Sequence, residues 1–261
     1  MTIELKILGC GSSAGVPAVG NDWGQCDSQE PKNRRMRPGI ALRSENASIV
    51  VDTGPDFSAQ YNRAAMTGLD AVIYTHMHGD HVNGIDELRV LVKQQQMSTM
   101  PVYGTKETLD ELAYRYDYMF TSKSKLYPQA LTPHYLDQYL NSSVKIGDIE
   151  IMSFLQDHGT MNSLGMRIGN VGYSTDMKAL DSRAIDQLKG IDTWIVDCGA
   201  YGYPSPPMVH ANFETVEKLN QYIGARQIYF THMPGRMDFQ TLYLELPNGY
   251  APAYDGLKLQ C

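Results

Sequence analysis

The chain has 261 residues, enough to bury one substantial core or two small ones. Its composition, 43% hydrophobic and 20% charged, is ordinary for a soluble globular protein, and its net charge of −7 argues against broad, sequence-blind binding to nucleic acid or an anionic membrane. A small anionic substrate stays allowed, because bound metal ions would reverse the sign locally.

The first run, IELKIL (3–8), carries Glu4 and Lys6 inside its apolar stretch. It predicts a strand rather than a signal peptide, and no later stretch reaches membrane-spanning length. A glycine loop follows, GCGSSAGVP (9–17), and then the basic cluster KNRRMR (32–37). Strands are expected over SIVVDT (48–53) and AVIYTH (71–76), with helices around 56–66, 85–96 and 105–119. Residues 112–136 differ in character, with five tyrosines and a phenylalanine among lysines, arginine and prolines. They read as an amphipathic helix and loop packing rings inward, or as an insertion capping a pocket. Further β-rich runs occupy 144–155, 164–176, TWIVDC (193–198) and QIYFTH (227–232), with helices near 178–189 and 212–223 between them. Asn212 is placed to cap the last helix, whose Phe213, Val216, Leu219 and Tyr222–Ile223 share a face. Interleaving of this kind predicts α/β layers, and no repeat or linker divides the chain into domains. Cys10, Cys26, Cys198 and Cys261 lie far apart with no C-x-x-C pair, so reduced thiols and a cytoplasmic location are expected.

The histidines carry the functional signal. The chain has seven, and three fall with an aspartate in THMHGDH (75–81), directly after the apolar run AVIY. Alternation along an extended chain points His76 and His78 the same way, and the turn at Gly79 lets Asp80 and His81 face a neighbouring point. His158, Asp176 and His232 each end a later β-rich run. Ligands delivered from several strand ends to one rim suit two adjacent metal ions, and imidazole with carboxylate fits zinc, manganese or iron. For KNRRMR the readings are a solvated loop, or a pocket rim where Arg34 or Arg35 grips a second phosphate in bidentate fashion. The glycine loop's N–H groups, with Ser12 or Ser13, are able to face a phosphate as well. His134 is read as structural, and His210 as either a helix-start surface residue or a proton donor.

THMHGDH with His158, Asp176 and His232 resembles the metallo-β-lactamase superfamily signature, and DTGPD (52–56) resembles the element supporting its metal histidines. The resemblance implies a four-layer αββα sandwich with two mixed β-sheets. It also implies two divalent ions, zinc or manganese, one on His76, His78 and His158 and the other on Asp80, His81 and His232, with Asp176 shared. GCGSSAGVP, NRRMR (33–37), VHANFETVEKL (209–219), THMPGRMDFQTL (231–242) and LPNGYAPAYDG (246–256) are similar to one branch, the cyclic phosphodiesterase of phosphonate catabolism, which opens phosphoribosyl 1,2-cyclic phosphate. In that branch a histidine matching His210 acts at the leaving group, and Asp80 is a second candidate for passing a proton. Relatives cluster cysteines around a structural zinc after the first glycine loop; this chain offers only Cys26 there, and no such zinc is expected.

The resulting expectation is a dinuclear phosphodiesterase for a small phosphorylated substrate. Paired ions about 3.5–4 Å apart can hold a bridging hydroxide and clamp the attacking and departing oxygens. The rivals are a tRNA 3′-processing ribonuclease, a thioester or lactam hydrolase, and a non-catalytic metal-binding carrier. No membrane contact and no extended nucleic-acid surface are expected, and a homodimer is left open.

Overall fold

The computed structural model describes residues 2–122, 124–203 and 208–261; Lys123, inside the aromatic segment at 112–136, lies outside them. Two seven-stranded mixed sheets form the centre. The first runs β14 (Lys258–Gln260), β1 (Glu4–Gly9), β2 (Gly39–Arg43), β3 (Ser48–Val51), β4 (Ala71–Ile73), β5 (Met100–Gly104) and β6 (Leu131–Tyr135) from edge to edge. The second runs β13 (Tyr250–Pro252), β12 (Gln227–Thr231), β11 (Thr193–Asp197), β10 (Val171–Ser174), β9 (Asn162–Ile168), β8 (Ile149–Asp157) and β7 (Ser143–Ile146).

Burial on both faces explains why several strands are apolar without alternation. In β3, Ile49 and Val51 join the large core that the two sheets share, while Val50 points into a second cluster. That second cluster lies under α1 (Phe57–Arg63), α3 (Glu87–Gln94), α4 (Lys106–Arg115) and α5 (Asp117–Phe120), and the very short α2 (Gly79–Val82) comes between α1 and α3, after β4. On the other sheet α6 (Ser182–Leu188), α7 (Phe213–Ile223) and α8 (Phe239–Glu245) supply Ala184, Val216 and Leu242 to the shared core. Asn212 caps α7 by accepting from Thr215 N–H, and Gly224 closes it in the left-handed conformation, φ 80°. The αββα order is the one the resemblance implied.

The runs at 144–155 and 164–176 are hairpins rather than single strands, with Ile146 opposite Ile149 and Ile168 opposite Val171. The second half of the aromatic segment is strand β6, paired with β5. Pro133 is tolerated there because β6 is an edge strand, where one missing N–H breaks no central ladder. The first half packs against the loop after β4. Tyr116 and Tyr118 donate their hydroxyls to Asn83 and Asp86, and Arg115 Nη1 donates to Met77 O at 2.7 Å.

The chain's end is tied back to its beginning by Asp255, which accepts from Cys10 N–H at 3.1 Å and Met36 N–H at 2.8 Å. Burial pushes its carboxyl up to about 6. The unfolded chain therefore loses this proton first, and the contribution of Asp255 to stability falls as pH rises from about 4 to about 6, staying low above that. Asp255→Ala strands two buried donors and should cost about 2–4 kcal/mol in denaturant melts of metal-free protein. The gap from wild type should be wider at pH 4 than at pH 7. A gap that widens with pH would contradict this account.

Candidate metal centre

Every residue of the histidine signature sits at or just past a strand's C-terminal end, on one edge of the sandwich. His76 and His78 follow β4, His158 follows β8, Asp176 follows β10 and His232 follows β12. Asp80 and His81 lie in α2, the short turn of helix after His78. Three non-glycine residues at these ends hold left-handed backbone: Asp52 (φ 65°), Asp176 (φ 48°) and His232 (φ 56°). Such conformations cost about 1–3 kcal/mol each and persist only where surrounding contacts enforce them. Gly54 is required nearby, since a Cβ there would stand 2.1 Å from the carbonyl oxygen of Asp80.

Two groups of side chains converge: His76, His78, His158 and Asp176, and beside them Asp80, His81, Asp176 and His232. Within each group the ligand atoms lie within 4.8 Å of one another. Asp176 belongs to both. Its Oδ2 faces His158 Nε2 at 3.4 Å and His76 Nε2 at 3.7 Å, while Oδ1 faces His81 Nε2 at 3.0 Å and His232 Nε2 at 3.4 Å. One carboxylate thus presents one oxygen to each half.

The hydrogen bonds around the histidines fix which nitrogens carry protons, and the result fits cations. His158 Nδ1 donates to Val209 O at 2.9 Å, leaving Nε2 as a lone pair. Thr75 Oγ1 donates to Asp52 Oδ2, so it accepts from His76 Nδ1 at 3.1 Å, and His76 Nε2 is a lone pair too. Both lone pairs converge on His78 Nδ1, at 2.9 and 3.3 Å, and a single proton there can satisfy only one of them. In the other half, His81 Nδ1 donates to Asp52 Oδ2 at 2.7 Å, which aims the opposite nitrogen, buried and without a hydrogen-bond partner, at the carboxylates of Asp80 and Asp176. A divalent ion in each half would resolve these conflicts, and Asp52 and Thr75 would orient the ligands in the manner of outer-sphere carboxylates. Without ions, protons do that work. Burial would lower the pKa of His232, but Asp176 and Asp80 outweigh it and raise it to about 9. For His81, burial is outweighed by Asp176 and Asp52, which hold it well above the ordinary imidazole range.

His210 joins this rim. Its ring stacks on His232, centroids 4.5 Å apart and 22° between planes, and its Nδ1 donates to Asp197 Oδ2 at 2.7 Å. Asp197, at the end of β11, is fully buried and also accepts from Met177 N–H and Gly199 N–H. Asp197 was missed in the sequence, although TWIVD ends in an aspartate just as GYSTD does.

Of the two arginines expected at the rim, Arg35 is placed otherwise. Arg35 is 1% exposed; its Nη2 donates to Asn33 Oδ1 at 3.1 Å and its Nη1 lies 3.9 Å from Cys26 Sγ. It is a core residue, because backbone alternation turns it inward between exposed Arg34 and half-buried Met36. Arg34 stacks on Trp23 with its guanidinium 4.9 Å from the ring centre. Its burial closes Arg35 to a ligand, whereas Arg34 is exposed. His134 stacks on Tyr103 in the edge strands, away from the cluster, in agreement with its structural reading.

Two mixed sheets, outer helices and a shared-carboxylate histidine cluster at one edge define the architecture of a metallo-β-lactamase-type protein. The family model for the beta-lactamase superfamily domain matches residues 47–233, and the chain belongs to that superfamily. Over 97% of its length it is 28% identical to an octanoyltransferase of Porphyromonas gingivalis, and over 49% it is 29% identical to a ribonuclease Z of Thermococcus kodakarensis. The chain spans 50% and 40% of the length of these relatives. Among solved structures it superposes on a diphosphatase from the PhnP family with TM-score 0.88 and 27% identity, covering 100% of this chain and 98% of that one. Human tRNase Z, short form, shares the fold, with TM-score 0.71 at 15% identity and 98% of each chain covered.

Proposed function

We propose that the protein is a metal-dependent phosphoric diester hydrolase acting on a small cyclic or nucleotide-like phosphodiester, phosphoribosyl 1,2-cyclic phosphate or a similar compound. The observation that carries this reading is the pairing of a shared-carboxylate histidine cluster with a separate, carboxylate-held histidine, His210, stacked on its edge. His76, His78 and His158 would hold one ion, Asp80, His81 and His232 the other, and Asp176 both. When bound, such ions acidify water toward neutral pH and neutralise charge on the non-bridging phosphate oxygens. Asp197 fixes His210 with Nδ1–H toward the carboxylate, so the doubly protonated ring gives its proton from Nε2. As a water oxygen bonds to phosphorus and the P–O bond to the leaving group breaks, that proton passes to the departing oxygen, giving an alcohol and a phosphate monoester.

The same displacement at phosphorus would open a diphosphate, a variant favoured by the likeness to a diphosphatase. The tRNA-processing alternative is disfavoured by a net charge of −7, which opposes an extended RNA footprint. A thiol-based acyl transfer is disfavoured too, because burial raises the thiols of Cys10, Cys26 and Cys198. Metal-loaded protein offered a panel of cyclic diesters, linear diesters, diphosphates and thioesters should turn over cyclic or nucleotide-like diesters fastest. Preference for thioesters, or no phosphorus substrate at all, would overturn the reading. Among the described residues no helix is long and apolar enough to cross a membrane.

A further inference from the structure

The basic cluster holds a third arginine, Arg37, which packs between the glycine loop and the turn at Gly54. Its Nη1 donates to Asp56 Oδ1 at 3.2 Å, and its backbone N–H donates to Asp56 Oδ2 at 2.8 Å. That contact secures one edge of the guanidinium. Among the described residues Nη2 has no partner, and Nε is buried without one. The side chain is 27% exposed, so a ligand can reach it.

Its surroundings place it beside the second half of the metal centre. Arg37 Cβ lies 3.4 Å from where a Cβ on Gly54 would be, and that same position is 2.1 Å from the carbonyl oxygen of Asp80. On the other side, the guanidinium lies against the glycine loop: a Cβ on Gly15 would be 3.3 Å from Nη1. Residues 12–15 form a β-turn closed by Gly15 N–H donating to Ser12 O at 2.8 Å. Ser12 N–H is bonded to the carbonyl of Met233, the residue after His232. The turn is therefore tied to the His232 side and Arg37 to the Asp80 side of one cluster. The N–H groups of Ser13 and Ala14 and the hydroxyls of Ser12 and Ser13 carry no hydrogen bond among the described residues, and Ser13 and Ala14 are exposed. Free donors beside an under-satisfied guanidinium make an anion cradle.

We propose that Arg37 and the Ser12–Gly15 turn form a subsite for a phosphate monoester carried by the substrate at a second position. This rests on the phosphodiesterase reading and adds a specificity element to it. The subsite lies outside the ligand set, so it acts on binding rather than on chemistry.

The test compares Arg37→Gln with wild type on two sugar cyclic phosphodiesters that differ only by a remote phosphate monoester. The variant should raise KM about 10–100-fold for the phosphorylated diester, the range of one or two charge-assisted hydrogen bonds, and leave kcat unchanged. KM for the unphosphorylated diester should stay level. Arg37→Lys should restore part of the loss, since it keeps the charge but not the fork. An equal KM rise on both substrates, or none on either, overturns the subsite. If wild-type protein hydrolyses neither diester, the phosphodiesterase reading has failed by itself. Calorimetry of inorganic phosphate with metal-free protein then decides the subsite: binding lost in Arg37→Gln supports it, and binding unchanged or absent overturns it.

Discussion

Metal-free protein given zinc or manganese should take up close to two ions per chain, one for each group of converging ligands. An ion that binds only the folded chain adds about 4.1 kcal/mol at a thousandfold its dissociation constant, which for a chain of this size corresponds to a rise of about 8–16 °C in Tm. Chelation should reverse that rise and abolish hydrolysis. His78→Ala should lose at least one ion, because His78 Nδ1 is where the lone pairs of His76 and His158 meet. Asp176→Asn should weaken both sites together, since Asp176 presents one oxygen to each half. Affinity should fall toward acid pH. His81 and His232 are raised in the metal-free protein, so an incoming ion must displace their protons, and it competes less well as protons become abundant. Elemental analysis finding one tightly held ion, unchanged in His78→Ala, would end the two-ion account.

How much of this centre the sequence disclosed depended on how local each signal was. THMHGDH is legible because four ligands fall within seven residues, a density that random placement of seven histidines would rarely give. His158, Asp176 and His232 were legible as strand ends, because apolar runs mark strands and a ligand type follows each run. Asp197 has the same signature, yet its partner is His210, brought beside it by the loop between β11 and α7. No spacing rule links residues that meet only through the fold. The arginines show a different limit. KNRRMR appears as one basic patch, but folding gives each cation its own environment: Arg34 on Trp23, Arg35 in the core, Arg37 beside Asp56. Alternation explains the inward turn of Arg35 once the backbone is known to be extended there. Similarly, β6 was hidden by Pro133 and its aromatic neighbours, since an edge strand does not need the alternating pattern that betrays a half-buried one.

Replacing His210 should slow the chemical step while leaving both ions in place. The residue lies beside the ligands and is held by Asp197 rather than by a metal in this arrangement, so His210→Ala removes a proton donor and little else. General acid catalysis contributes about 10²–10⁴-fold, and kcat should fall by that factor on a diester with an alkoxide leaving group. The loss should shrink on a nitrophenyl diester, whose acidic phenol departs without a proton. Asp197→Asn gives a second reading of the same step. An amide there can donate to Nδ1, which leaves that nitrogen as a lone pair, so the ring cannot be the doubly protonated acid while that bond is made. It should therefore reproduce the unequal loss without emptying either metal site. Ligand atoms of Asp197, His210 and His232 also lie within 4.8 Å of one another, which makes the rival outcome definite. If His210 were a ligand, His210→Ala would reduce ion content and depress both substrates equally. Ion content by elemental analysis, read beside kcat on the two leaving groups, separates these cases, and a proton donor requires full metal content with an unequal loss.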